Sequence, residues 1–194
     1  MASYKFINSQ RINKSLIVPS RLGFLMFLVF LIEISFNFRL NFLGILPLSI
    51  PHIFGVLFAP LIHGGFLHLI SNLVPFFILS FLLYYFYDRV ADHVLLNVYL
   101  VTNLVVWMAG RPYFHIGSSG LVYGLLFFLI SMGIFRATFQ SVLIAISIFI
   151  IYGSIIYGVL PSNGRISWES HLAGACVGVV SAFYNSRKVR LSSF

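Results

Sequence analysis

His115-Ile116-Gly117-Ser118-Ser119-Gly120 is a small-residue turn bearing hydroxyls, and it opens an apolar run through Leu121, Val122, Tyr123 and Gly124. Such a turn at the mouth of a hydrophobic helix has two readings. Small residues let another helix pack closely. A glycine-flanked serine at a helix N-terminus also suits a nucleophile, because free N–H groups and the helix dipole favour a developing anion there. The rest of the chain decides between them.

That rest is overwhelmingly apolar. Of 194 residues, 60% are hydrophobic and 8% charged, with a mean hydropathy of +1.00. A soluble domain carries about 25% charged residues, so this chain cannot cover a soluble surface. It reads as an all-α, polytopic membrane protein without a large extramembrane domain. A formal charge of +8 would suggest nucleic acid in a soluble protein. Here the excess of cations at one membrane face explains it, and no nucleic-acid partner is expected. The single cysteine, Cys176, excludes an intramolecular disulfide and a cysteine-rich metal site.

A helical span needs about 20 apolar residues. The segments 22–38, 66–87, 93–109, 119–135, 139–160 and 168–184 supply six. The basic first twenty residues followed by an apolar run mimic a signal peptide, but no small-residue cleavage site follows, so the first span is expected to be retained. Residues 1–21 form a short N-terminal segment, 22–186 the six-helix domain and 187–194 a basic tail. Between Arg39 and Gly65 the chain is apolar but broken by Pro47, Pro51 and Pro60. It reads as a loop in the membrane interface rather than a straight helix.

Six spans put both termini on one side. Alternate loops then collect Lys5, Arg11, Lys14, Arg21, Arg89, Arg136, Arg187, Lys188 and Arg190 on that side, against Arg39, Arg111 and Arg165 on the other. The bias predicts cytoplasmic termini. The compact form without eukaryotic sorting signals suggests a bacterial inner membrane.

Polar residues within spans are costly and usually functional. Three helices bring them to one outer depth: His68 and Asn72, with His63 just before them; Ser118 and Ser119; and His171. His171, Gly174 and Gly178 share a helix face, as do Gly120 and Gly124. Packing these glycine faces together brings His171 beside Ser119, and neutral imidazole is a suitable base for a serine. Tyr123, one turn after Ser119, is either a core aromatic or a ring that stacks on the imidazole. His68 and Asn72, at i and i+4, are either interhelical hydrogen-bonders or donors to an oxyanion. No carboxylate is placed to complete a triad. A metal site at His63, His68 and His171 is disfavoured, since no HExxH and no carboxylate on their faces accompanies them. Neither metal nor cofactor is expected.

His68-Leu69-Ile70-Ser71-Asn72, then Gly117-Ser118-Ser119-Gly120 with Tyr123, then His171-Leu172-Ala173-Gly174 with Gly178 resemble the HxxxN, GxSG and HxxG motifs of the rhomboid intramembrane serine proteases. Arg111 and the His115-Ile116 lead-in also resemble bacterial members. The resemblance spans about residues 22–186 and implies a six-helix bundle with a serine recessed in a water-filled cavity. It implies Ser119 as nucleophile, His171 as general base, and His68, Asn72 and the Ser119 N–H as the oxyanion hole. Tyr123 would pack on His171, and His63 matches a first-loop histidine. Residues 39–65 would be the membrane-embedded first loop and 161–169 a mobile cap. Substrates would be transmembrane proteins in the bilayer, entering between spans two and five. The family's first-loop Trp-Arg pair is absent, with Leu57 to Pro60 in its place. Two alternatives stand beside this reading. A catalytically silent rhomboid-like binder or chaperone would have lost the serine or histidine. A transporter would carry polar residues through the full bilayer depth.

Overall fold

The computed structural model describes residues 9–162 and 166–188. Seven α-helices account for most of them: α1 (Ser9–Ser35), a short α2 (Gly55–Phe58), α3 (Phe66–Phe86), α4 (Asp88–Ala109), α5 (Ser119–Arg136), α6 (Phe139–Tyr152) and α7 (Trp168–Asn185). Among the described residues there is no strand. One isolated bridge joins Ile45 to His115. The protein is a helical membrane bundle.

Five stretches are long and apolar enough to cross a membrane: α1, α3, α4, α5, and α6 with the 3₁₀ turns that extend it to Val159. The sixth long helix, α7, falls outside that set for a physical reason. It is the inner helix, and apart from Val177 its buried residues are small or polar, among them Ser170, His171, Ala173, Gly174, Ala175, Gly178, Ser181 and Ala182. Small and polar residues replace apolar bulk where helices press together rather than face lipid.

α5 and α7 form the centre of the bundle. A Cβ on Gly174 would lie 2.1 Å from the Gly120 carbonyl oxygen, and one on Gly178 2.2 Å from that of Gly124. Two backbones therefore touch without side chains between them. Below this seam the apolar core continues through Leu125, Leu126, Phe128, Leu129 and Met132, with Phe76, Leu79 and Leu83 from α3. α6 is peripheral. It leaves α5 through Ala137, at φ +51°, and a Thr138–Ser141 capping box starts it.

The first loop is a series of 3₁₀ turns around the short α2, laid along α4. Backbone carbonyls at membrane depth need internal donors, and α4 supplies them from one stripe. Tyr99 Oη donates to Leu57 O at 2.6 Å, Asn103 Nδ2 to Val56 O at 3.1 Å, and Trp107 Nε1 to Ser49 O at 3.1 Å.

Three boundaries differ from expectation. α1 begins at Ser9 rather than near Leu22, so the basic flank is helical. Ser15, Pro19, Gly23, Met26 and Phe30 continue one buried stripe through it. α4 begins at Asp88 rather than His93, with an acid in its first turn where the dipole favours it. The fifth span is not one α-helix to Leu160. It changes to 3₁₀ winding over Gly153–Val159. Of the anticipated segments, 1–8, the cap positions 163–165 and the tail beyond 188 lie outside the described residues.

Candidate active site

Ser118 and Ser119 are adjacent but differently placed. Ser118 is fully buried, with its N–H and Oγ each 3.4 Å from His63 Nε2. Ser119 is half-buried and is the first residue of α5. The helix has no side-chain cap, so its first N–H groups remain open. Gly117 makes this turn possible. Its φ of +102° belongs to the left-handed region, and a Cβ there would lie 2.6 Å from His68 Nε2. Only glycine meets both demands. Its N–H donates to Ala59 O at 2.8 Å, tying the turn to the first loop.

His171 is 8% exposed. Its ring lies on Tyr123, with centroids 4.1 Å apart and planes within 7°. Its Nδ1 is 2.9 Å from the Gly158 carbonyl oxygen. A carbonyl only accepts, so Nδ1 carries the proton and Nε2 of the neutral ring is an acceptor. Tyr123 Oη donates to Ile155 O at 2.6 Å. The 3₁₀ segment after α6 thus holds both members of the stack through its carbonyls. Ser119 and His171 occupy facing turns of the α5–α7 seam but are not hydrogen-bonded to each other in this structure.

His68 approaches from α3. The Gly64 N–H donates to its Nδ1 at 3.3 Å, which puts the proton of the neutral ring on Nε2, the atom nearest Gly117. Asn72, 5% exposed, gives one amide hydrogen to His68 O at 2.8 Å. Its Nδ2 lies 3.8 Å from where a Gly117 Cβ would stand. His68 Nε2, Asn72 Nδ2 and the start of α5 therefore converge on one spot. His63 and His68 have ring centroids 5.1 Å apart. Among the described residues, no three of His, Cys, Asp and Glu form a metal-binding group. Burial holds His63, outside the spans, well below the usual imidazole range, at about 4.

A second network joins the two loops beside the site. Arg111 pairs with Glu169 through both carboxylate oxygens, the Nη2–Oε2 distance being 3.0 Å. It also donates to the Ser162 and Ile166 carbonyls at 3.3 and 3.2 Å, on either side of residues 163–165. Its guanidinium stacks over Tyr113 and Trp168. Beneath it, His115 Nε2 donates to Arg111 O at 3.0 Å, so Nδ1 accepts from the Ser167 hydroxyl at 2.6 Å. Burial lowers the His115 pKa. Glu169 is thus held by Arg111 on the loop side of α7, a partner 58 residues away that local spacing does not disclose. The Tyr99-Asn103-Trp107 stripe also went unread, although its i, i+4, i+8 spacing in an apolar span was a usable signal.

The rhomboid domain model matches residues 50–188. Uncharacterised proteins of Mycobacterium bovis and Mycobacterium tuberculosis are each 34% identical to this chain over 175 residues, covering 86% of it and 73% of their own length. An uncharacterised protein of Mycobacterium leprae is 33% identical over 175 residues, covering 86% and 69%. The chain belongs to the rhomboid family of multi-pass membrane proteins. The matched span takes in the Gly117–Gly120 turn, His68 to Asn72 and His171 to Gly178, and omits α1.

Proposed function

We propose that this protein is an intramembrane serine endopeptidase that cuts transmembrane proteins in or near their membrane-spanning segments. The rhomboid family generally contains such proteases. The observation that carries the reading is the state of His171. Its Nδ1–H is committed to the Gly158 carbonyl and its ring to Tyr123, so Nε2 is left as the free acceptor on the helix that packs against the start of α5.

In this reading Ser119 Oγ attacks the scissile carbonyl carbon as His171 Nε2 takes the hydroxyl proton. The carbonyl electron pair moves to oxygen. That oxyanion accepts from His68 Nε2–H, the second Asn72 amide hydrogen and the Ser119 N–H. One such donor is worth about 3 kcal/mol of barrier. The imidazolium returns its proton to the departing amine, and water attacks the acyl-enzyme by the same route. Glu169 takes no part, since it is paired with Arg111. A substrate helix must unwind locally first, because intact helical carbonyls are hydrogen-bonded. The cation bias supports cytoplasmic termini and a site facing the outer side of a bacterial inner membrane.

The test is cleavage of a reporter membrane protein by purified enzyme in proteoliposomes. Wild type is expected to cut and Ser119→Ala to lose at least about 10⁴-fold. Equal cleavage by both overturns the assignment. Binding without cleavage by wild type indicates a silent binder instead.

A further inference from the structure

At the end of the bundle opposite Ser119, α5 finishes at Arg136 and α7 is followed by Ser186 and Arg187. Between them lies an open cavity of about 330 Å³, lined by Phe135, Arg136, Phe183, Ser186 and Arg187. Arg136 Nε and Nη1 are buried and have no hydrogen-bond partner. The Tyr87 hydroxyl, on a fully buried residue, is also without a partner. It lies within electrostatic reach of Arg136.

Among the described residues, no acidic side chain answers these donors. The sequence holds four acidic residues. Glu33 accepts from the Leu40 N–H, and Glu169 pairs with Arg111. Asp92 accepts from Tyr84, and Asp88 from the N–H of Arg89. Arg111–Glu169 is the one ion pair among the described residues. Buried guanidinium donors without an acceptor are costly, so the cavity is short of an anion.

We propose that this cavity binds the phosphate of an anionic glycerophospholipid. Guanidinium recognises phosphate through paired donors, with Arg136 supplying them from the end of α5 and Arg187 from the turn after α7. The place fits: basic pockets between spans at the cation-rich face are suited to anionic headgroups. The flanks fit as well. Phe135 and Phe183 meet edge to face at 5.6 Å and are 40% and 56% exposed, giving an apolar wall for acyl chains beside the headgroup. The site is independent of any proteolytic chemistry.

The test compares melting of the purified protein in phosphatidylcholine nanodiscs, in nanodiscs containing phosphatidylglycerol, and in phosphatidylcholine with inorganic phosphate added. Native mass spectrometry counts retained lipids. Phosphatidylglycerol should raise the melting temperature and remain bound. Arg136→Gln and Arg187→Gln should each weaken its retention by about tenfold. Arg89→Gln, an exposed cation at the same end, should leave it unchanged. If Arg136→Gln does not fold, Arg136→Lys keeps the charge but not the paired donors, and should still lose the retained lipid. Equal stabilisation by inorganic phosphate overturns the lipid assignment. Equal loss in Arg89→Gln overturns the site in favour of diffuse attraction.

Discussion

The α5–α7 seam and the α6 rim both reach the site, by opposite means. The seam touches backbone to backbone through Gly120, Gly124, Gly174 and Gly178. In α5, 67% of the spanning window is buried, against 17% for α6 and its 3₁₀ extension. The seam fixes where Ser119 and His171 stand. The rim contributes two carbonyls, Gly158 to His171 and Ile155 to Tyr123. The comparison teaches that position and protonation are held by different parts. His171 is placed by tight packing, but its tautomer is set by the least buried long segment. Movement of α6 would therefore free the ring without moving the helix that carries it.

Substitution on the seam should have the largest effect. Gly178→Val puts side-chain atoms where the Gly124 carbonyl stands. We expect loss of about 3 kcal/mol in stability, read as a lowered melting temperature, together with loss of reporter cleavage. An unchanged melting temperature would break the comparison from the seam side.

Rim substitution should separate activity from stability. A Cβ at Gly158 would lie 2.0 Å from Tyr123 Oη and 3.1 Å from His171 Nδ1. Gly158→Ala should cut turnover about tenfold or more through loss of the ring hydrogen bond, with little change in melting. Tyr123→Phe alone loses only the bond to Ile155, worth about 1 kcal/mol. In the Gly158→Ala background it removes the atom the new methyl meets, so the double variant should recover part of the turnover. Strict additivity would remove Tyr123 from the latch.

The smallest effect concerns pH. His63 is buried neutral, with its pKa lowered to about 4, and the unfolded chain titrates near the ordinary value of about 6.5. Below that value the unfolded state binds more protons, so stability is full above it and falls as pH drops toward 4. The melting temperature should fall by at least about 3 °C between pH 7.5 and 5. His63→Gln should flatten that slope.

The glycine periodicity made the seam legible, because small residues at i and i+4 leave a face that only another helix fills. With it came the convergence of Ser119, His171, His68 and Asn72 at one end. The rim was not legible. An apolar run from Phe139 to Leu160 does not disclose where α winding yields to 3₁₀, since that depends on Gly158 and Ile155 finding His171 and Tyr123. The Arg111–Glu169 pair was hidden for the same reason, its members 58 residues apart. α1 was placed too late because its buried stripe of Ser15, Pro19 and Gly23 is small and weakly apolar.

The most direct test of the central claim is labelling by a fluorophosphonate probe, with the modified residue located by mass spectrometry. The probe reacts with a serine activated by a base. We expect one adduct, on Ser119, abolished by Ser119→Ala and by His171→Ala and retained by Ser118→Ala. An unlabelled wild type, or an adduct that persists in His171→Ala, would contradict the account.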